Sequence, residues 1–214
     1  MIFANRIDAG RRIAEALLSC KGQDIVVYAL PRGGVVVAAQ IAEILDAPLD
    51  LVIVRKVGHP YAPEYAIAAV AEDGHIVENR SEVDSIDRRA FEESVRIEQR
   101  EARRRRDLYM RGRTPISATG KIAIIVDDGL ATGLTMQAAV QEVRHSHPRK
   151  IVVAVPVAPP QTIRKLKEIA DDVLALYEAS DFRAIGSFYC QFDQVSDDEV
   201  IELMGTASRA CWKS

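Results

Sequence analysis

The sequence predicts an α/β fold built on a doubly wound, mainly parallel sheet, and three observations carry that expectation. Short β-branched apolar runs recur along the chain. Helical stretches alternate with them. One strand-to-helix junction sets two acids, glycines and threonines where such sheets bind ligands.

Taken in order, the first run is Ile25-Val26-Val27, and Val35 to Leu45 reads as the helix that follows it. The second is Leu51-Val52-Ile53-Val54. The third, Ile122 to Val126, leads to a helix over Thr135 to Arg144; the fourth, Ile151 to Val155, leads to one over Thr162 to Ala170. A weaker fifth run is Val173 to Leu176. Continuous apolar runs, rather than alternating ones, belong to strands covered on both faces.

Two regions break the rhythm. Asp84 to Arg111 is densely charged and helical in pattern, with Glu92/Arg96 and Glu101/Arg105 at i, i+4 spacing. The segment from Ser180 carries Phe182, Phe188, Tyr189 and Phe192, then Ser196-Asp197-Asp198-Glu199, a capping box that would start a last helix. No internal repeat or low-complexity linker interrupts the chain.

With 214 residues, 48% of them hydrophobic, the chain can bury a substantial core. A net charge of -3 argues against chain-wide attraction to nucleic acid or an anionic membrane. The N-terminus lacks the apolar core of a signal peptide, and no apolar run reaches the length of a membrane helix, so a cytoplasmic protein is expected. Cys20, Cys190 and Cys211 form no CxxC pair and read as free thiols.

The functional expectation rests on residues 121–136. An apolar strand ends at Val126, Asp127 and Asp128 follow, and a loop with Gly129, Thr132, Gly133 and Thr135 enters a helix. A helix N-terminus offers unpaired N–H groups and partial positive charge, and glycines let a phosphate approach the backbone. The threonines add hydroxyl donors, and ionised aspartates, which only accept, match vicinal ribose hydroxyls. A plain strand–turn–helix junction would use the same Asp and Thr as caps. Neither GxxxxGK[ST] nor GxGxxG occurs, which sets aside P-loop and dinucleotide readings.

The full string, an apolar strand, two acids and Thr-Gly-x-Thr, resembles the phosphoribosyl-pyrophosphate motif of the type I phosphoribosyltransferases. The resemblance extends over the whole chain, which looks like the stand-alone predicted phosphoribosyltransferases of bacteria: Leu30-Pro31-Arg32-Gly33-Gly34, Val54-Arg55-Lys56, Glu72-Asp73-Gly74 and Gln194-Val195-Ser196-Asp197 are shared. It implies the type I fold over 1–214 as a single domain, with a charged helical insertion at about 80–118 and a small C-terminal hood at about 180–214.

The resemblance also implies a chemistry: transfer of phosphoribosyl from 5-phosphoribosyl 1-pyrophosphate to a nitrogenous acceptor, with pyrophosphate released and Mg²⁺ as cofactor. Asp127, Asp128 and Lys56 are the catalytic set it indicates. Arg32, Gly33, Gly34, Arg55 and Lys56 would face the pyrophosphate, and Asp127, Asp128, Gly129, Leu130, Ala131, Thr132, Gly133, Leu134 and Thr135 would hold the ribose 5-phosphate. None of these is assigned as a metal ligand. Gly58 to Tyr65 falls where the family has a mobile covering loop, with Tyr61 and Glu64 read as structural. Phe188, Tyr189 or Phe192 could stack on a base and Asp193 could accept from it, although core packing is the commoner role of such aromatics. Family members that act on 6-oxopurines carry a third acid where this chain has Ala131, which disfavours hypoxanthine and guanine. A homodimer in nucleotide metabolism is expected on the same ground. The alternatives are a non-catalytic sensor of the same ligand, disfavoured by the lack of an added DNA-binding domain, and a phosphorolytic or hydrolytic activity on the same fold.

Other features are read as structural. Arg103 to Arg106 is interleaved with Glu98 and Glu101 and is expected to be a solvated helix face rather than a nucleic-acid patch. His145 and His147 are two apart and do not share a helix face; His59 and His75 read as isolated, and Trp212 as part of a frayed end.

Overall fold

The computed structural model describes residues 2–210, without the side chains of 63, 64 and 207–210; Cys211 and Trp212 lie outside the described residues. The main sheet has five parallel strands in the order β2-β1-β6-β7-β8. They are β1 (Ile25–Ala29), β2 (Leu49–Leu51), β6 (Ile122–Val126), β7 (Lys150–Ala158) and β8 (Asp172–Glu178). A second, antiparallel sheet joins β3 (Val54–His59), β4 (Ala62–Ala71) and β5 (Ile76–Glu78). The helices are α1 (Arg6–Ala16), α2 (Gly33–Leu45), α3 (Arg80–Val83), α4 (Arg88–Met110), α5 (Leu134–His145), α6 (Pro160–Lys167) and α7 (Asp197–Ala210).

Why β1 and β6 read as unbroken apolar runs is visible in the packing. Ile25, Val27 and Ala29, with Ile122, Ile124 and Val126, face a core shared with α1, α2, α4 and α7. Val26, Tyr28, Ala123 and Ile125 face the opposite core with α5 and α6. The period of two is present, but both of its faces are buried.

Local caps agree with the sequence. Ser196 and Glu199 form the predicted capping box at α7, with Ser196 N–H donating to Glu199 Oε2 at 2.9 Å and Glu199 N–H donating to Ser196 Oγ at 3.2 Å. Asn5 caps α1 by accepting from the Asp8 N–H at 2.9 Å. Arg105 and Glu101 form their i, i+4 pair at 2.9 Å on α4.

Three expectations are corrected. The run Leu51 to Val54 is not one strand: β2 ends at Leu51, buried Val52 and Ile53 cross between the sheets, and β3 begins at Val54. Residues 58–65 are not an open loop but the end of the β3–β4 hairpin, bulged around Gly58, with Pro60 and Tyr61 at its tip. Much of β4 is alanine, a strong helix former depleted in strands, so its composition hides the strand. Finally, the arginine run is not uniformly solvated. Arg106 is 14% exposed, lies 3.1 Å from Asp50 and 3.5 Å from Glu72, and donates to the Leu51 carbonyl. The charged insertion also buries apolar groups: Phe91 and Val95 of α4 pack with Val83 on Val57, Ile67 and Val70 of the second sheet.

Candidate functional site

The carboxyl ends of β1 and β6, the hairpin β3–β4 and the helix α4 surround one cleft of about 760 Å³. Ligands in open α/β sheets bind at this edge. Of the residues singled out from sequence, Arg32, Gly33, Arg55, Lys56, Asp127, Asp128, Gly129, Leu130, Ala131, Thr132, Gly133 and Thr135 line it. Gly34 and Leu134 do not. Gly34 instead lets α2 close on β6: a Cβ there would sit 2.9 Å from the Val126 carbonyl oxygen. Leu134 opens α5, half-buried outside the lining.

The loop after β6 is fixed from several sides. Gly129 (φ 153°) and Gly133 (φ 78°) occupy backbone regions that a side chain strains, and Gly133 is the N-cap of α5. Thr162 Oγ donates to the Ala131 carbonyl at 2.6 Å, and Leu130 N–H donates to Val157 at 2.9 Å. Thr132, Gly133 and Thr135 thereby face the cleft at the positive end of a 12-residue helix.

Opposite lie the cations. Lys56 is exposed on the cleft wall. Arg32 precedes α2, following a cis peptide from Pro31, and lies 3.7 Å from Asp197. Arg55 pairs with Glu98 of α4 at 2.8 Å, so its charge is already matched by the insertion. The participation of α4 in the wall, through Ser94, Ile97, Glu98 and Arg105, was not foreseen from sequence.

The acids have partners that no local motif announces. Arg6 Nε lies 2.7 Å from Asp128 Oδ2, with the two side chains only 11% and 12% exposed. Its guanidinium also stacks 3.8 Å above the Phe192 ring and donates to the Asp193 carbonyl at 2.7 Å. Tyr189 Oη donates to the Asp128 carbonyl at 2.6 Å. Gly33 makes room for this pair, since a Cβ there would lie 1.9 Å from Asp128 Oδ2. Asp127 Oδ1 accepts from the Asp128 N–H at 2.8 Å. Burial first, and the neighbouring Asp128 charge second, push the Asp127 carboxyl well above the usual carboxylate range, while Lys56 opposes the shift.

The aromatic segment has the packing role. Tyr189 is buried against Phe3, and Phe192 lies under Arg6. Neither lines the cleft; Ile185 is the residue of this segment that does.

The model of the phosphoribosyl transferase domain matches residues 1–193 of this sequence. The chain belongs to the phosphoribosyl transferase family. Two Mycobacterium tuberculosis proteins, each named "Putative phosphoribosyl transferase", are 43% identical to it over 210 residues, covering 97% of this chain and 47% of theirs. The chain thus spans about half the length of these relatives. The crystal structure of TT1426 from Thermus thermophilus superimposes with a TM-score of 0.80 at 41% identity, covering 95% of this chain and 98% of that one. The α/β sheet is the one expected from sequence, and no described helix is long and apolar enough to cross a membrane.

Proposed function

We propose that this transferase moves the phosphoribosyl group of 5-phosphoribosyl 1-pyrophosphate to a nitrogenous acceptor and releases pyrophosphate. The observation that supports it most is the single cleft in which the acids, the phosphate-suited helix start and the cations face one another. Backbone N–H groups around Ala131 to Thr135, with the threonine hydroxyls, suit the 5-phosphate; that remote anchoring positions the anomeric carbon. Asp127 and Asp128 accept from the ribose hydroxyls and stabilise cationic character on the sugar as the bond to pyrophosphate breaks. Arg32, the Gly33 amide and Lys56 take up the charge of the leaving pyrophosphate. Arg55, paired with Glu98, is the weakest contributor of the basic set.

The donors of the cleft fit Mg²⁺, which takes oxygen ligands and is held by one or two carboxylates together with substrate phosphates. Asp127 and Asp128 would hold such an ion together with the substrate phosphates, and it would neutralise charge on the pyrophosphate. No acid stands at Ala131, which favours acceptors other than 6-oxopurines.

The test is calorimetric titration of phosphoribosyl pyrophosphate, with and without Mg²⁺, into the wild type and a folded D127N/D128N variant, followed by a pyrophosphate-release screen over nitrogenous bases. Metal-dependent binding that the variant loses, with release that requires a base, is the expected result. Release without any base would replace transfer by hydrolysis, binding without release would leave a sensor, and no binding to folded wild type would refute the ligand.

A further inference from the structure

We propose, resting on the reading of Asp128 as a ribose ligand, that Arg6 is a positioning residue: it holds the Asp128 carboxylate ready for the sugar hydroxyls. Asp128 lines the cleft and Arg6 does not. Arg6 therefore acts on the ligand only through Asp128.

The place of Arg6 is set by a clasp between residues 2–4 and 188–191. Phe3 N–H donates to the Phe188 carbonyl at 3.0 Å, Cys190 N–H to the Phe3 carbonyl at 2.9 Å and Gln191 N–H to the Ala4 carbonyl at 3.0 Å. Asn5 then caps α1, whose first residue is Arg6. The guanidinium is held on three sides. Nε donates to Asp128 Oδ2 at 2.7 Å, Nη1 donates to the Asp193 carbonyl at 2.7 Å, and the Phe192 ring lies 3.8 Å from its plane-bearing carbon. A planar fork fixed in this way loses little further rotamer freedom when it orients an acid.

The same clasp grips Asp128 at two points. Its carboxylate takes the Arg6 bond, and its carbonyl accepts from Tyr189 Oη at 2.6 Å. Gly33 leaves the space in which the pair meets: a Cβ there would lie 1.9 Å from Asp128 Oδ2 and 2.9 Å from Arg6 Nε. A carboxylate has about four acceptor sites over its two oxygens, so one bond to Arg6 leaves capacity for ribose hydroxyls. An acid already fixed in place does not have to be ordered by the ligand, and that saving appears as affinity.

A buried ion pair is by itself weak evidence for stability, because apolar residues of similar volume often replace one without loss. This pair differs in that one member lines the ligand cleft, while the other is 11% exposed and tied to Phe192 and Asp193. The aromatic segment, which packs rather than lining the cleft, thereby sets the geometry of the ribose site.

The test titrates ribose 5-phosphate and, separately, inorganic phosphate into the full chain without metal, by calorimetry well below the melting temperature. Both ligands use the phosphate loop, and only the sugar reaches Asp128. The wild type should bind ribose 5-phosphate more tightly than phosphate. Folded R6M should weaken ribose 5-phosphate by about 10-fold or more and leave phosphate unchanged. R6K, which keeps the cation without the fork, should recover part of that loss. V200A opens a cavity in the core beneath α7, away from the cleft lining; it should lower the melting temperature and leave both affinities unchanged. Equal ribose 5-phosphate affinity in the wild type and R6M, or an equal loss of both ligands in R6M, would overturn the positioning role and leave the ribose reading standing. A wild type that binds the two ligands equally, or neither, would instead remove the ribose from Asp128 and this role with it.

Discussion

Glu142→Gln should stabilise this protein at neutral pH, although it removes a charged residue. Glu142 lies on α5 with Oε2 buried and without a hydrogen-bond partner, as is Oε2 of Glu72. Burial first, then the charges of Glu72, Asp73 and Asp50, push its carboxyl up to about 9, with Arg106 opposing. The folded state then holds a proton that the unfolded chain releases above its ordinary value of 4.5. Stability is therefore greatest below that value and declines as pH rises towards 9, because the native state binds the extra proton. At pH 7 the gap from 4.5 amounts to about 3 kcal/mol at 1.36 kcal/mol per unit. Glutamine is neutral throughout, has nearly the same shape, and can donate to the surrounding carboxylates. The variant should match the wild type near pH 4 and exceed it by about 3 kcal/mol at pH 7, about 6–12 °C in melting temperature for a chain of this size. Urea unfolding of both proteins from pH 4 to pH 8.5 measures the difference directly. A stability difference that stays constant across that range would refute the buried, protonated state of Glu142.

Arg6→Met should cost about 3 kcal/mol, because it leaves Asp128 without its cation in a site almost closed to water; a melting temperature lowered by less than 2 °C would show that the pair is solvent-screened. Gly33→Ala puts a methyl group on the Asp128 carboxylate and should weaken phosphoribosyl-pyrophosphate binding at least 10-fold by calorimetry, since Asp128 must leave its place beside Arg6; unchanged affinity would remove Asp128 from the ribose site.

Much of this architecture was legible because its cues are local. The runs at Ile25 and Ile122, the glycines and threonines of residues 129–135 and the Ser196–Glu199 box report backbone geometry within a few residues, so spacing alone revealed them. The run at Leu51 misled because apolarity registers burial and is blind to which sheet does the burying. β4 stayed hidden because alanine favours helices, and only pairing with β3 and β5 makes it a strand.

What the sequence determined by itself was the alternation of strands and helices in the main sheet and the spacing of acids, glycines and threonines after β6. What only the tertiary structure decided was the company those residues keep. Arg6 reaches Asp128 across 122 residues, Glu98 takes up Arg55, and Glu72, Asp50 and Arg106 gather near Glu142. His75 meets His145. These pairings have no sequence signature, because charge and lone-pair interactions act through space, over a few ångströms that the chain brings together only by folding.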